Sequence, residues 1–359
     1  MRSYFASLQT GRGLAAIAVL LFHVWQMAHD RLGREFAQGW FVNGNRGVDF
    51  FFVLSGFIIL HTNQRHLGIP SEAPRYFYRR IIRVYPILIF LTLVKLGYML
   101  ISGAGVPAEK GDFSYIICST LLIPLPIFPF MSASWTLCFE LFFYSLFLLA
   151  ILYGRPLFWL FASHAVVCLV LNLPCLPELG FPARFFFSPY ILDFYLGCAT
   201  AYLCRNNLVN ISMARMLVLA GLLLLLAGNF FCDRLQAMMT TLFTLYWGCG
   251  SFCLVTGMAA WEQKRALFIP RWLSFLGDAS YSIYLVHGNV LLIGGVLIAR
   301  HMNMLDSHLN LTLSLLAVTA LLISLLCYQF VEMPLLRWLQ QKGPNRIEAS
   351  GRSVRTGCI

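Results

Sequence analysis

The sequence predicts an all-α, polytopic membrane protein with about ten transmembrane helices, and three observations carry that reading. Of its 359 residues, 59% are hydrophobic and only 11% are charged, against roughly 25% charged in soluble domains. Long apolar runs recur from end to end. They fit helices, whose backbone bonds close within each segment, and lack the weak alternation of a β-barrel. Lys and Arg gather in the short connections between runs, as they do in cytoplasmic loops. The net charge of +11 therefore reads as topology, and no nucleic-acid partner is expected.

Taken in order, the apolar segments lie near 13–29, 47–63, 81–101, 134–153, 157–172, 186–204, 215–231, 237–260, 276–299 and 309–331. The first is read as a retained helix. No small-x-small cleavage site follows it, and Gln26 to Asp30 lead straight into a polar loop. An eleventh run, 113–129, carries Pro124, Pro126 and Pro129 in its last six residues. Proline interrupts helices, so this run is expected to be a re-entrant or interfacial segment on the outer side.

Charge arbitrates between ten spans and eleven. With ten spans and a cytoplasmic N-terminus, 18 of the 26 Lys and Arg fall inside and seven outside, with Lys95 within a span. An eleventh span would carry the basic C-terminal tail across the membrane. The expected organisation is one membrane domain, 1–340, followed by a short basic cytoplasmic tail, 341–359. The 11 cysteines are scattered, with no CxxC and with Cys249 and Cys253 the closest pair. Buried thiols are expected, and neither a disulfide framework nor a metal site.

Ionisable residues inside spans are functional candidates by default. Arg12 and His23 are eleven positions apart, almost three helical turns, so they share one face about 16 Å apart along the axis. Glu140 lies six residues below Ser134, the expected N-cap of the fourth span, at about the depth of His23. It is placed to orient that imidazole or hold an acceptor hydroxyl; a structural ion pair with Lys95 or a histidine is the alternative. Asp49 opens the second span, where the helix dipole favours a carboxylate, and Gly47 and Gly56 permit close packing there. Arg79, Arg80 and Arg83 fall on one helical face, suited either to phosphate binding or to anchoring at the inner surface. Glu332 is positioned to pair with one of them. His287 lies mid-way along the ninth span, with Tyr281 and Ser282 to its inner side, and packing and function are equally open. No role is assigned to Asp193 or His164.

A cationic inner mouth and a histidine with a carboxylate nearer the outside suggest a reaction between an anionic cytosolic donor and an outward-facing acceptor. Acyl-CoA fits the donor side, its phosphates matching arginines and its flexible arm carrying a thioester along a narrow channel. Histidine serves such chemistry as general base or as nucleophile, and the sequence leaves both open. A transporter or flippase for a lipid-linked saccharide would use the same polar stripe as a permeation path.

The pattern resembles the membrane acyltransferase-3 family, O-acyltransferases of bacterial surface glycans and of some small metabolites. The resemblance runs over nearly the whole chain. It rests on Arg12 and His23 within "LQTGRGLAAIAVLLFH", on "GVDFFFVLSGFII", on Arg80 and Arg83 of "RRIIRVYP", on "SWTLCFELFFY", on "LGDASYSIYLVH" and on the closing Glu332-x-Pro334. It implies about ten helices in a bacterial inner membrane, acyl-CoA, usually acetyl-CoA, as co-substrate, and no permanently bound cofactor or metal. The implied acceptor is a hydroxyl of a surface or lipid-linked glycan, and exopolysaccharide-modifying members look most similar. By resemblance His23 is catalytic, supported by Glu140 and Asp49, while Arg12, Arg80 and Arg83 hold the donor. Trp135, Ser134, Tyr281, His287 and Glu332 are candidate supports. Two departures stand out. Gln9 replaces the acidic residue usual two places before Leu-Arg-Gly, and Glu140 lacks the polar follower usual in that motif.

Overall fold

The computed structural model describes residues 4–102, 113–173, 175–238, 240–301 and 306–343. It is built from helices, with no strand among the described residues. The main elements are α1 (Ala6–Leu32), α2 (Gly47–Asn63), α3 (Ala73–Ser102), α4 (Phe113–Thr120), α5 (Trp135–Tyr153), α6 (Leu157–Leu171) and α7 (Ala183–Phe186). There follow α8 (Tyr190–Arg205), α9 (Ile211–Met238), α10 (Thr240–Lys264), α11 (Arg271–Asp278), α12 (Ser280–Arg300), α13 (Leu309–Cys327) and α14 (Met333–Lys342). The tail beyond 343 and Lys110 lie outside the described residues.

Among the described residues, seven helical stretches are long and apolar enough to cross a membrane. The other three anticipated spans form as helices, α2, α6 and α8, but with 17, 15 and 16 residues they extend only about 22–26 Å. A hydrocarbon core is about 30 Å thick. By length and composition, seven spans are shown among the described residues, against the about ten anticipated. The 113–129 run holds only the eight-residue α4 before the proline-rich chain turns back. Its ends are tied by Phe130 N–H to Ser119 Oγ (3.1 Å), by Tyr115 O–H to the Phe128 carbonyl, and by Lys95 Nζ to the Phe130 carbonyl (2.5 Å).

Lipid-facing surface shows as apolar stripes at helical spacing. On α13, Leu311, Leu315, Val318, Leu322 and Leu326 are each more than half exposed, a continuous apolar face of a kind that soluble monomers do not present to water. Inside, one core joins α2, α3, α5, α8, α10 and α12, and a second joins α1, α12 and α13. The α2–α8 contact runs through glycine, as the sequence suggests for Gly56. A Cβ there would lie 2.0 Å from the Phe194 carbonyl, and one on Gly197 would lie 2.0 Å from the Val53 carbonyl. Backbone meets backbone.

The start of α1 has a cap that no local pattern announces. Phe5 offers no side-chain acceptor. Glu262 of α10 reaches over instead, accepting from Ala6 N–H (2.9 Å), Ser7 N–H (2.8 Å) and Ser7 Oγ–H (2.6 Å). A carboxylate at a helix N-terminus also meets the positive end of the dipole. Glu262→Ala is expected to destabilise the protein by about 2–3 kcal/mol, the range of a cap made of charge-assisted bonds. Thermal unfolding in detergent checks this, and an unchanged Tm would remove the cap from the account.

The Glu-x-Pro motif has a physical reading as well. Pro334 has no N–H to donate to the Phe330 carbonyl. The ladder slips to a π-turn over Tyr328–Glu332, closed by Met333 N–H to the Tyr328 carbonyl. That turn carries Glu332 inward, 3% exposed, where it accepts from Ser282 Oγ (2.6 Å).

Candidate active site

Two of the three expected arginines come from α3 and the third from α1, and all line one cleft of about 830 Å³. Arg12 is buried, and its Nη1 donates to Gln9 Oε1 at 3.0 Å. The amide that replaces the usual acidic residue thus still accepts from this guanidinium, without a charge. Arg80 stands over the rings of Tyr76 (5.5 Å) and Tyr144 (5.3 Å), and Arg83 over Tyr281 (5.9 Å). Tyrosine faces hold the planar guanidiniums in a way that a lysine head would not satisfy. The Tyr281 hydroxyl donates to the Val84 carbonyl (2.9 Å), which fixes its ring. Glu332, on Ser282, lies in electrostatic range of Arg83 and Arg12.

One wall of the cleft is α2, which contributes residues from Val48 to Ile59, a reach of about 16 Å along its axis. The opposite wall includes Thr136, Leu137 and Glu140 of α5. Glu140 accepts from Tyr144 O–H and from Ser55 Oγ (3.5 Å). It therefore belongs to the arginine cleft. It pairs neither with Lys95, whose ammonium goes to the Phe130 carbonyl, nor with His23.

His23 has a different neighbour from the one its depth suggested. Its ring is 4.9 Å from that of His287, and neither residue lines the cleft. Phe51 and Tyr284 line the cleft, with their rings 6.1 Å apart. Tyr284 is 6.0 Å from His287 and its hydroxyl accepts from Thr136 Oγ1 (3.0 Å). Tyr284 thus borders both the arginine cleft and the histidine pair.

The two histidines are held alike. His23 Nδ1 meets the Val19 carbonyl at 2.8 Å, and His287 Nδ1 meets the Ile283 carbonyl at 2.9 Å. A carbonyl only accepts, so each Nδ1 carries the proton and each neutral ring keeps its lone pair on Nε2. That atom is the one able to take a proton from a hydroxyl or attack a carbonyl carbon.

The cap expected of Ser134 is corrected. Ser134 precedes α5 but does not cap it through its side chain; its Oγ donates back to the Met131 carbonyl at 2.8 Å. Asp49 is fully buried and does not line the cleft. Its carboxyl group faces that of Asp193 on α8, with the Arg46 guanidinium in range. Trp135 packs on Tyr190 (5.3 Å) at the edge of a second cavity. His164 is structural: Tyr195 O–H lies 2.7 Å from Nδ1, and Nε2 meets the Phe186 carbonyl at 3.0 Å.

Sequence reading missed Asp193 as the partner of Asp49 and missed Asp278 altogether. Asp278 lies in electrostatic range of Arg12 and Arg83. Its place in "LGDASYSIYLVH" was the available signal.

Fold and cleft together define a polytopic helical protein with a cationic cavity enclosed among its helices. Comparison with known families gives the class a name. A family model described as "Acyltransferase domain" matches residues 5–329, and the chain belongs to the membrane acyltransferase-3 family. It is 26% identical over 330 residues to the exopolysaccharide production protein ExoZ of Rhizobium meliloti, covering 89% of this chain and 95% of that relative. It is 25% identical to BcsY of Komagataeibacter xylinus, named as a membrane-bound transacylase, over 89% of this chain and 80% of the relative. ORF330 of Acidianus two-tailed virus, named as an acetyltransferase, is 28% identical over 77% of this chain and 80% of its own length. No solved structure matches the chain.

Proposed function

We propose that this membrane acyltransferase moves an acyl group, acetyl in the first instance, from cytosolic acyl-CoA to a hydroxyl of a surface or exported glycan. The observation that carries the reading is the cleft itself. Arg12, Arg80 and Arg83 all line it, and Tyr284 of the same lining stands 6.0 Å from His287, whose ring neighbours that of His23. Guanidinium groups suit the phosphates of a coenzyme, and a narrow slot suits its extended thioester arm. The likeness to the exopolysaccharide production protein ExoZ supports a polysaccharide acceptor. A bacterial inner membrane is the proposed site, with both termini cytoplasmic, as the Lys and Arg distribution of ten spans favours.

In the general-base form, His23 Nε2 takes the acceptor O–H proton as the oxygen attacks the thioester carbonyl carbon. The C–S bond then breaks, the thiolate receives that proton, and the products are an ester and free coenzyme A. In the nucleophilic form Nε2 attacks first and carries the acyl group. Both forms need the same neutral tautomer. Arg80 and Arg83 bind the donor, and Glu140 holds Tyr144 beside them.

Purified protein given acetyl-CoA labelled in the acetyl group is expected to release label slowly to water and faster to extracted polysaccharide, as a base-labile ester. Label crossing a proteoliposome membrane with no covalent product would instead support a transporter and end the acyltransferase reading.

A further inference from the structure

A second and larger cavity, about 2,090 Å³, opens beside the start of α5, and the chemistry above does not use it. The proline-rich turn at 124–129, the end of α6 and the chain from 176 to 190 enclose it. Its wall mixes broad aromatic faces, Trp135, Phe181 and Tyr190, with the charged ends of Glu178 and Arg184. We propose that this cavity is the binding site for a saccharide acceptor, and that Tyr190 marks the way from it to the histidine pair. The proposal rests on the acyltransferase reading and gives its acceptor a location.

The chemistry of the wall selects the ligand. A sugar ring presents apolar C–H faces and a rim of hydroxyls. Aromatic rings take the faces, while a carboxylate and a guanidinium take the rim as acceptor and donor. A lipid chain would leave Glu178 and Arg184 desolvated without partners. Pockets that combine apolar walls with a few convergent polar groups are the usual form of small-ligand sites.

The cavity's place is equally specific. Opposite faces of α5 serve the two spaces: Trp135, Cys138 and Phe139 line this one, and Thr136, Leu137 and Glu140 line the arginine cleft. The partition between them is aromatic. Phe52 lines the arginine cleft, and its ring stands 6.2 Å from Phe139 and 5.7 Å from Tyr190 on the other side. Tyr284 lies in electrostatic range of Tyr190 and 6.0 Å from His287. Donor cleft, saccharide cavity and histidines therefore converge on Tyr190 and Tyr284.

The test measures a ratio within one preparation: label transferred to polysaccharide over label lost to water, in membranes of polysaccharide-producing cells supplied with labelled acetyl-CoA. Phe181→Ala and Arg184→Ala alter exposed side chains, so the fold is preserved. Each is expected to lower the ratio about tenfold, the effect of removing one anchoring contact. Trp135→Ala is expected to lower it further. A ratio unchanged in both the Phe181 and Arg184 variants would overturn the saccharide site while leaving the acyltransferase reading intact. An unmodified protein that neither transfers nor hydrolyses label would instead overturn the reading beneath it.

Discussion

His23→Ala is expected to lower acyl transfer and donor hydrolysis by about 10³–10⁴-fold, the contribution of a positioned general base or more, equivalent to about 4–5 kcal/mol of barrier. The protein should still fold. The ring's hydrogen bond is to its own helix, at Val19, and its ring contacts are Phe22 and His287. Donor affinity should be nearly unchanged, because His23 lies outside the arginine cleft. The measurement is kcat and KM for labelled acetyl-CoA on protein with an unaltered size-exclusion profile. A variant retaining more than a tenth of the turnover would remove His23 from the chemistry. His287 would be the next imidazole to examine, since its Nδ1 is held by a backbone carbonyl in the same way.

The second large effect concerns the donor. Arg83→Ala or Arg80→Ala is expected to raise the KM for acetyl-CoA about 10–100-fold, as loss of a hydrogen bond to a charged group costs about 1.5–3 kcal/mol. Turnover at saturation should move far less, the signature of lost ground-state binding. Arg80→Lys should recover little of it. The flat guanidinium lies over both Tyr76 and Tyr144, and an ammonium cannot reproduce that stacking with bidentate bonding. An unchanged KM in both alanine variants would turn these arginines into membrane anchors.

Much of the architecture was legible because hydrocarbon imposes hard rules on composition, and the seven long helices all fall on anticipated segments. Pairing was less legible, for a geometric reason. Counting residues from a helix end gives depth but not azimuth. His23 and Glu140 share a depth, yet α1 packs on α11 and α12 while α5 packs on α3, so the two side chains face different spaces. His23 meets His287 instead, and Glu140 meets Tyr144. The arginines were easier. Arg80 and Arg83 are one turn apart on one helix, where sequence spacing does fix direction. Asp49 and Asp193 illustrate the opposite limit: each opens its own helix, and only the glycine contact between α2 and α8 reveals that they meet.

The cap that Glu262 places on α1 also bears on how the molecule is made. The first turn of α1 emerges from the ribosome early, but the amide of Ala6 is answered only when Glu262, 256 positions later, has been inserted. A nascent chain halted before α10 has α1 in the bilayer with its leading amides still unanswered. The arginine cleft, which α1 lines through Arg12, is thus completed only late in synthesis.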